Sequence, residues 1–119
     1  MIVLMVDYPV LKNKLQELVN QVISGEKIEI IDSYVKFEEY IENPKLPKFF
    51  IVSNYTFKRF ITFITYDKIK NIFANKIPII EIIKESVAPI DKNHYYVVDS
   101  IKEEDLSLEV FKNIISNYV

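Results

Sequence analysis

Few side chains in this sequence could do chemistry, and the most conspicuous of them are uncharged. Ser53 and Asn54 end an apolar run, Phe49-Phe50-Ile51-Val52, that Pro47 and Lys48 introduce. A run this short, apolar on both faces, reads as a central strand of a sheet covered on both sides. In an open α/β sheet, ligands and reacting groups gather at the carboxyl ends of the strands. Ser53 is therefore a candidate nucleophile or modification site. A serine needs a base, however, and the single histidine, His94, stands in no recognisable relation to it. Asp7 closes the apolar run 2–6, and Asp99 closes Tyr96-Val97-Val98. Both carboxylates are expected at that same edge, either as a remnant cation site or as a pair neutralised by a lysine such as Lys84. One or two carboxylates make a poor Mg²⁺ site, because the ion wants more oxygen ligands. Glu81 interrupts the apolar Ile79 to Ile83, marking either a sheet edge or a buried partner for a lysine. No catalytic set, metal site or cofactor is expected.

The elements that must hold these residues alternate along the chain. Residues 2–6 form a buried strand. Pro9 suits a first helical position, where its missing N–H costs nothing, and Val10, Leu11, Leu15, Leu18, Val19, Val22 and Ile23 follow with helical spacing. Gly25 is placed to stop that helix in a left-handed conformation. Residues 27–31 make a short strand next to the sheet edge. Asp32 or Ser33 then caps a second helix carrying Val35, Phe37, Tyr40 and Ile41. After strand 48–53, residues 66–75 read as helix, while 56–65 stays open. Phe57, Phe60, Ile61 and Ile64 have helical spacing there, yet Ile61 to Thr65 are β-branched or aromatic. Ile77 to Ile83 is a fourth strand, and Pro89 leaves room for at most a turn or two of helix after it. Tyr95 to Val98 is a fifth strand. Ser100-Ile101-Lys102-Glu103 matches a capping box and opens a last helix with Leu106, Val110, Phe111, Ile114, Ile115 and Tyr118. This predicts a single domain over 1–119, an α/β doubly wound five-stranded parallel sheet in three layers, with a shortened or remodelled fourth helix.

Composition removes several function classes. The net charge is −2, with lysine and glutamate interleaved, so no basic stripe recommends nucleic-acid binding. One glycine leaves no material for a glycine-rich phosphate loop. Without cysteine there is no disulfide, thiol nucleophile or thiolate metal site. The apolar opening, Met1 to Val6, is too short for a signal peptide or a spanning helix. The expectation is a cytoplasmic protein with no membrane contact.

The layout resembles the receiver domain of two-component response regulators, the flavodoxin-like fold of the CheY-like family, over nearly the whole chain. Receivers open with an apolar strand and a pair of acids. Ile2 to Val6 followed by Asp7 matches, with Tyr8 where the second acid would stand. Their third strand ends on the phospho-acceptor aspartate, and Pro47-Lys48-Phe49-Phe50-Ile51-Val52-Ser53 fits that frame with Ser53 at the acceptor position. Ile77-Pro78-Ile79-Ile80-Glu81-Ile82-Ile83 resembles the fourth strand, with Ile83 replacing the switch hydroxyl. Tyr96-Val97-Val98-Asp99-Ser100 resembles the fifth, with Asp99 in place of lysine and Ser100 in place of proline. The resemblance implies a kept scaffold whose phosphorylation positions, Asp7, Tyr8, Ser53, Ile83 and Asp99, are vestigial.

It further implies a pseudo-receiver: a phosphorylation-independent signalling module, not an enzyme, that works through a protein partner or an appended effector domain. Such a module either stands alone or forms the N-terminal regulatory part of a larger, transcriptional regulator. A homodimer is expected, with Tyr96, Ile101 and Glu104 at the last strand and helix, and Phe57 and Phe60 in an apolar patch after the third strand. The competing class is an enzyme or small-ligand binder using the edge around Asp7, Ser53, Asn54 and Asp99.

Overall fold

Short apolar runs pair side by side because each can bury both of its faces. The computed structural model describes residues 1–56, 59–84 and 92–118, and for 59–63 the backbone alone. Its order is β1 (Ile2–Met5), α1 (Pro9–Val22), β2 (Ile28–Ile31), α2 (Tyr34–Glu42), β3 (Phe50–Ser53), α3 (Arg59–Phe73), β4 (Ile79–Ile83), β5 (Val97–Lys102) and α4 (Leu108–Ile115). A 3₁₀ turn, Glu103–Asp105, links β5 to α4. The sheet runs β2-β1-β3-β4-β5, and every pairing is parallel. Alternation along the strands sends Leu4, Ile51 and Ile82 to one face, under Leu11 and Leu15 of α1 and Phe111 and Ile115 of α4. Met5, Val52 and Ile79 go to the other, under Phe37 of α2 and Tyr66 and Ile69 of α3. The expected five-stranded, three-layer architecture is the one observed.

Several boundaries differ from expectation, each for a physical reason. Segment 59–65 is helix, so the 3–4 spacing that buries Tyr66, Ile69 and Phe73 prevails over its β-favouring composition. β2 is an edge strand itself, not next to one. α1 stops at Val22, one residue short of Ile23, and Val10 faces solvent instead of the core; Gly25 does take the left-handed conformation, at φ +80°, but in the turn beyond the helix. Ser33 caps α2 as expected, accepting the Lys36 N–H at 3.2 Å. The capping box at Ser100 does not form. β5 runs on through Lys102, and the α4 cap is Ser107, whose hydroxyl accepts the Val110 N–H at 3.2 Å. A β-bulge hid that strand: Ile79 pairs with Val97 but Ile80 with Asp99, so Val98 is an extra residue that breaks the alternation. The reduced fourth helix expected after β4 falls on residues 85–91, outside the described residues.

α3 ends on two consecutive non-glycine residues in the left-handed region, Ala74 at φ 52° and Asn75 at φ 55°. Asparagine tolerates that conformation; alanine carries a Cβ cost there. Ala74 is exposed, so removing its methyl empties no core space. Ala74→Gly should therefore stabilise the protein by about 0.5–1 kcal/mol, read as a higher urea midpoint at unchanged slope.

Candidate functional site

All five strands are parallel, so their carboxyl ends share one edge, and the short segments leaving them meet there. Tyr8, between β1 and α1, donates its hydroxyl to Glu103 Oε1 of the turn after β5 at 2.6 Å. Burial, and then that carboxylate, raise the Tyr8 phenol above the usual range. Lys84, just past β4, holds its ammonium 5.7 Å from the Tyr8 ring centroid and 5.0 Å from that of Tyr55, past β3. Both lie within cation–π range, worth about 0.5–1 kcal/mol at an exposed position. Asn54 Oδ1 accepts the Lys84 N–H at 3.1 Å, and the Asn54 N–H donates to the Ile82 carbonyl at 3.0 Å. Thr56 donates its hydroxyl to the Met5 carbonyl at 2.9 Å. These contacts lace the ends of β1, β3, β4 and β5 into a closed ring.

Ser53 lies inside that ring at 1% exposure, paired with Ile82 across the ladder. Its hydroxyl faces the Tyr55 N–H at a long 3.4 Å, and Asn54 and Thr56 beside it are equally buried. Asp7 is exposed, and the N-cap of α1 is Tyr8, whose side chain makes no capping hydrogen bond. Asp99 is not at the edge. It pairs with Ile80, three residues before the strand end, and accepts the N–H of Ser100 at 2.9 Å, so its carboxylate stabilises the bulge. The expected pairing of Asp7 with Asp99 at one edge is thereby corrected. The residue abreast of Ile83 is Lys102. Among the described residues no group of three or more His, Cys, Asp or Glu could hold a metal ion.

Glu81 is neither at a sheet edge nor exposed. It stands between Val52 and Ser100, fully buried, and its Oε2 accepts the Tyr66 hydroxyl at 3.0 Å. Burial and this carboxylate push the Tyr66 phenol well up. Tyr66 packs its ring 5.4 Å from Tyr95, which donates to Asp67 of α3. Tyr95 is buried and Tyr96 exposed, the alternation a strand entry imposes. Ile101 belongs to the core at 4% exposure; Tyr96 and Glu104 are at the surface. Phe57 and the Phe60 side chain lie outside the described residues. Sequence reasoning missed the roles of Tyr55, Thr56 and Glu103. Only position carried a signal, since all three follow directly on strand ends.

Comparison with solved structures places this geometry. The N-terminal domain of a three-domain response regulator/sensory box/GGDEF protein from Carboxydothermus hydrogenoformans superposes with TM-score 0.78 at 13% identity, covering 98% of this chain and 91% of that one. The fold is that of a receiver domain. A signal receiver domain of a histidine kinase from Clostridium thermocellum matches this fold at TM-score 0.75 and 14% identity, over 97% of this chain and 94% of its own. The receiver domain of a sensor histidine kinase from Pseudomonas aeruginosa matches at 0.69 and 11%, over 98% and 94%, and holds a magnesium ion in its active-site cleft. No protein-family model and no curated protein matches the chain. Among the described residues no helix is long and apolar enough to cross a membrane.

The Tyr8–Glu103 bond joins the segment after β1 to the turn after β5. In a double-mutant cycle of Tyr8→Phe and Glu103→Gln, we expect a coupling of about 1 kcal/mol in urea unfolding. Additive effects would mean that the bond contributes nothing.

Proposed function

We propose that this chain is a receiver-like regulatory module that acts through protein–protein contact and does not depend on phosphorylation. The observation that supports this most is the closed edge: the polar side chains a phosphoryl group would need are engaged with one another. Ser53 offers a buried hydroxyl where an acceptor carboxylate would stand. Tyr8 is committed to Glu103, and Lys84 to two aromatic rings. Asp7, Tyr8, Ser53 and Ile83 are then the residues of a site whose scaffold outlasted its reagents, and Asp99 has become part of a strand. A chain in this condition is not an enzyme, and binds neither Mg²⁺ nor nucleic acid.

The module contacts a protein partner, a second copy or an effector domain. A shallow groove of about 540 Å³ between β5 and α4, lined by Ser100, Ile101, Lys102, Asp105, Val110 and Ile114, favours self-association on that side. Glu104, next to Asp105 of that lining, is the exposed residue to vary there, and Tyr96 is exposed at the other end of β5. That a solved neighbour is the N-terminal domain of a three-domain protein supports an N-terminal regulatory role, in a transcriptional or other regulator, beside the stand-alone one.

Beryllofluoride with Mg²⁺ mimics an aspartyl phosphate. Adding both should leave the amide NMR spectrum unchanged. Specific shifts at Ser53, Asn54 and Lys84 would overturn phosphorylation independence.

A further inference from the structure

The sheet has two edge strands, and they differ. β5 carries the bulge at Val98, a device that twists an edge away from further pairing. β2 has neither bulge nor proline, and it pairs with β1 alone. The Ile2 N–H donates to the Lys27 carbonyl at 2.9 Å, and Ile2 stands abreast of Ile28. In a parallel ladder of that register, the backbone groups of Lys27, Glu29 and Ile31 face β1. The N–H and C=O of Ile28 and Ile30 therefore point away from the sheet. No turn, loop or side chain among the described residues bonds to them.

Alternation puts the side chains of Lys27 and Glu29 on one face of β2, the face on which Ile31 packs under α2. Lys27 is exposed and Glu29 half-buried, and neither makes an ion pair among the described residues. Glu29 lines an open groove of about 510 Å³ beside this edge, together with Lys36, Glu39, Tyr40 and Lys45. Asp32 takes the Lys36 ammonium at 2.8 Å, which leaves Glu29 and Glu39 against Lys45 alone. The groove is therefore net acidic. A closed dimer through one shared edge has a two-fold axis, so its two β2 strands run antiparallel. The position of that axis decides which charges meet. An axis at Glu29 sets Glu29 against its own copy, and like charges directly opposite repel. An axis at Ile30 or Ile31 leaves Lys27 and Glu29 unmatched. An axis at Ile28 sets Lys27 against Glu29 twice. Ile28 then bonds the partner's Ile28, and Ile30 meets the backbone of Glu26, the preceding outward position.

We propose that two copies of this chain pair antiparallel along β2 about a two-fold axis at Ile28, each Lys27 ammonium set on the partner's Glu29 beside the acidic groove. The two five-stranded sheets become one continuous sheet. A lysine alone at an edge discourages pairing. A lysine and a glutamate two residues apart on one face instead complement a second copy of themselves. This goes beyond the module reading above and does not need it, because the β5–α4 groove lies at the opposite edge of the sheet and uses neither Lys27 nor Glu29.

Sedimentation velocity of the full chain and its charge variants tests it. The chain should dimerise. Lys27→Glu and Glu29→Lys should each weaken the dimer about tenfold or more, with circular dichroism unchanged, because each sets like charges opposite one another. The double variant Lys27→Glu/Glu29→Lys should recover it, since the two positions face each other across the axis. Hydrogen exchange reads the same contact without any substitution. The Ile28 and Ile30 amides should exchange about tenfold slower or more in the dimer than in the dilute monomer. A dimer indifferent to both single substitutions, with those two amides exchanging at the monomer rate, would overturn edge pairing and leave the module reading intact. A chain that stays monomeric at high concentration would also overturn it. So would a double variant as weak as the single ones.

Discussion

A parallel sheet covered on both faces allows its strands no wet side, and the buried polar side chains in and just after β3 and β4 answer to that constraint. β1 and β3 are buried at each position, and Glu81 of β4 is as buried as the isoleucines around it. A polar group there must find a partner within the fold or cost roughly 1–3 kcal/mol. Glu81 finds the Tyr66 hydroxyl. Asn54 and Thr56, at the end of β3, reach the backbone of β4 and β1. The edge where α/β domains usually place their chemistry is therefore consumed by the fold's own hydrogen bonds. Beyond them, the Lys84 ammonium lies over the rings of Tyr8 and Tyr55, and Tyr8 is held by Glu103.

The architecture was legible because burial leaves a simple trace. Runs at Ile2 to Val6 and Phe49 to Ser53 have no polar face, and the α1 stripe from Leu11 to Val22 keeps one helical spacing. Together they predict parallel strands with helical crossovers, and that is the fold. Segment 56–65 was ambiguous because β-branched residues also fill a helix once that helix lies against a sheet. β5 was misread for a different reason. One extra residue at Val98 moves Ile101 out of phase, and a strand whose alternation breaks midway looks like a strand that has ended. The false capping box at Ser100 followed from that break.

The site was legible in its residues and not in its wiring. Asp7, Tyr8 and Ser53 sit near the edge their positions implied. Asp99 does not, because the bulge and three further strand residues carry Lys102 to the strand end in its place. The Tyr8–Glu103 bond spans 95 residues of sequence, and no local pattern announces such a contact. Ile101 likewise passed for a surface residue until the longer β5 turned it into the core. What sequence could supply was chemical type; which groups meet depended on register.

The central claim is that the carboxyl edge is closed by its own side chains, and Tyr8 reports on it most directly. Its hydroxyl is half-buried and given to a carboxylate, so it should resist ionisation well beyond the usual phenol range. Labelling the tyrosine ring carbons and following each by NMR as pH rises would separate Tyr8 from exposed residues such as Tyr96. The closed edge predicts that Tyr8 stays protonated past the usual phenol range, until the fold itself is lost. Ionisation of Tyr8 near pH ~10, the ordinary phenol value, would mean that the edge is open to solvent and would contradict the account.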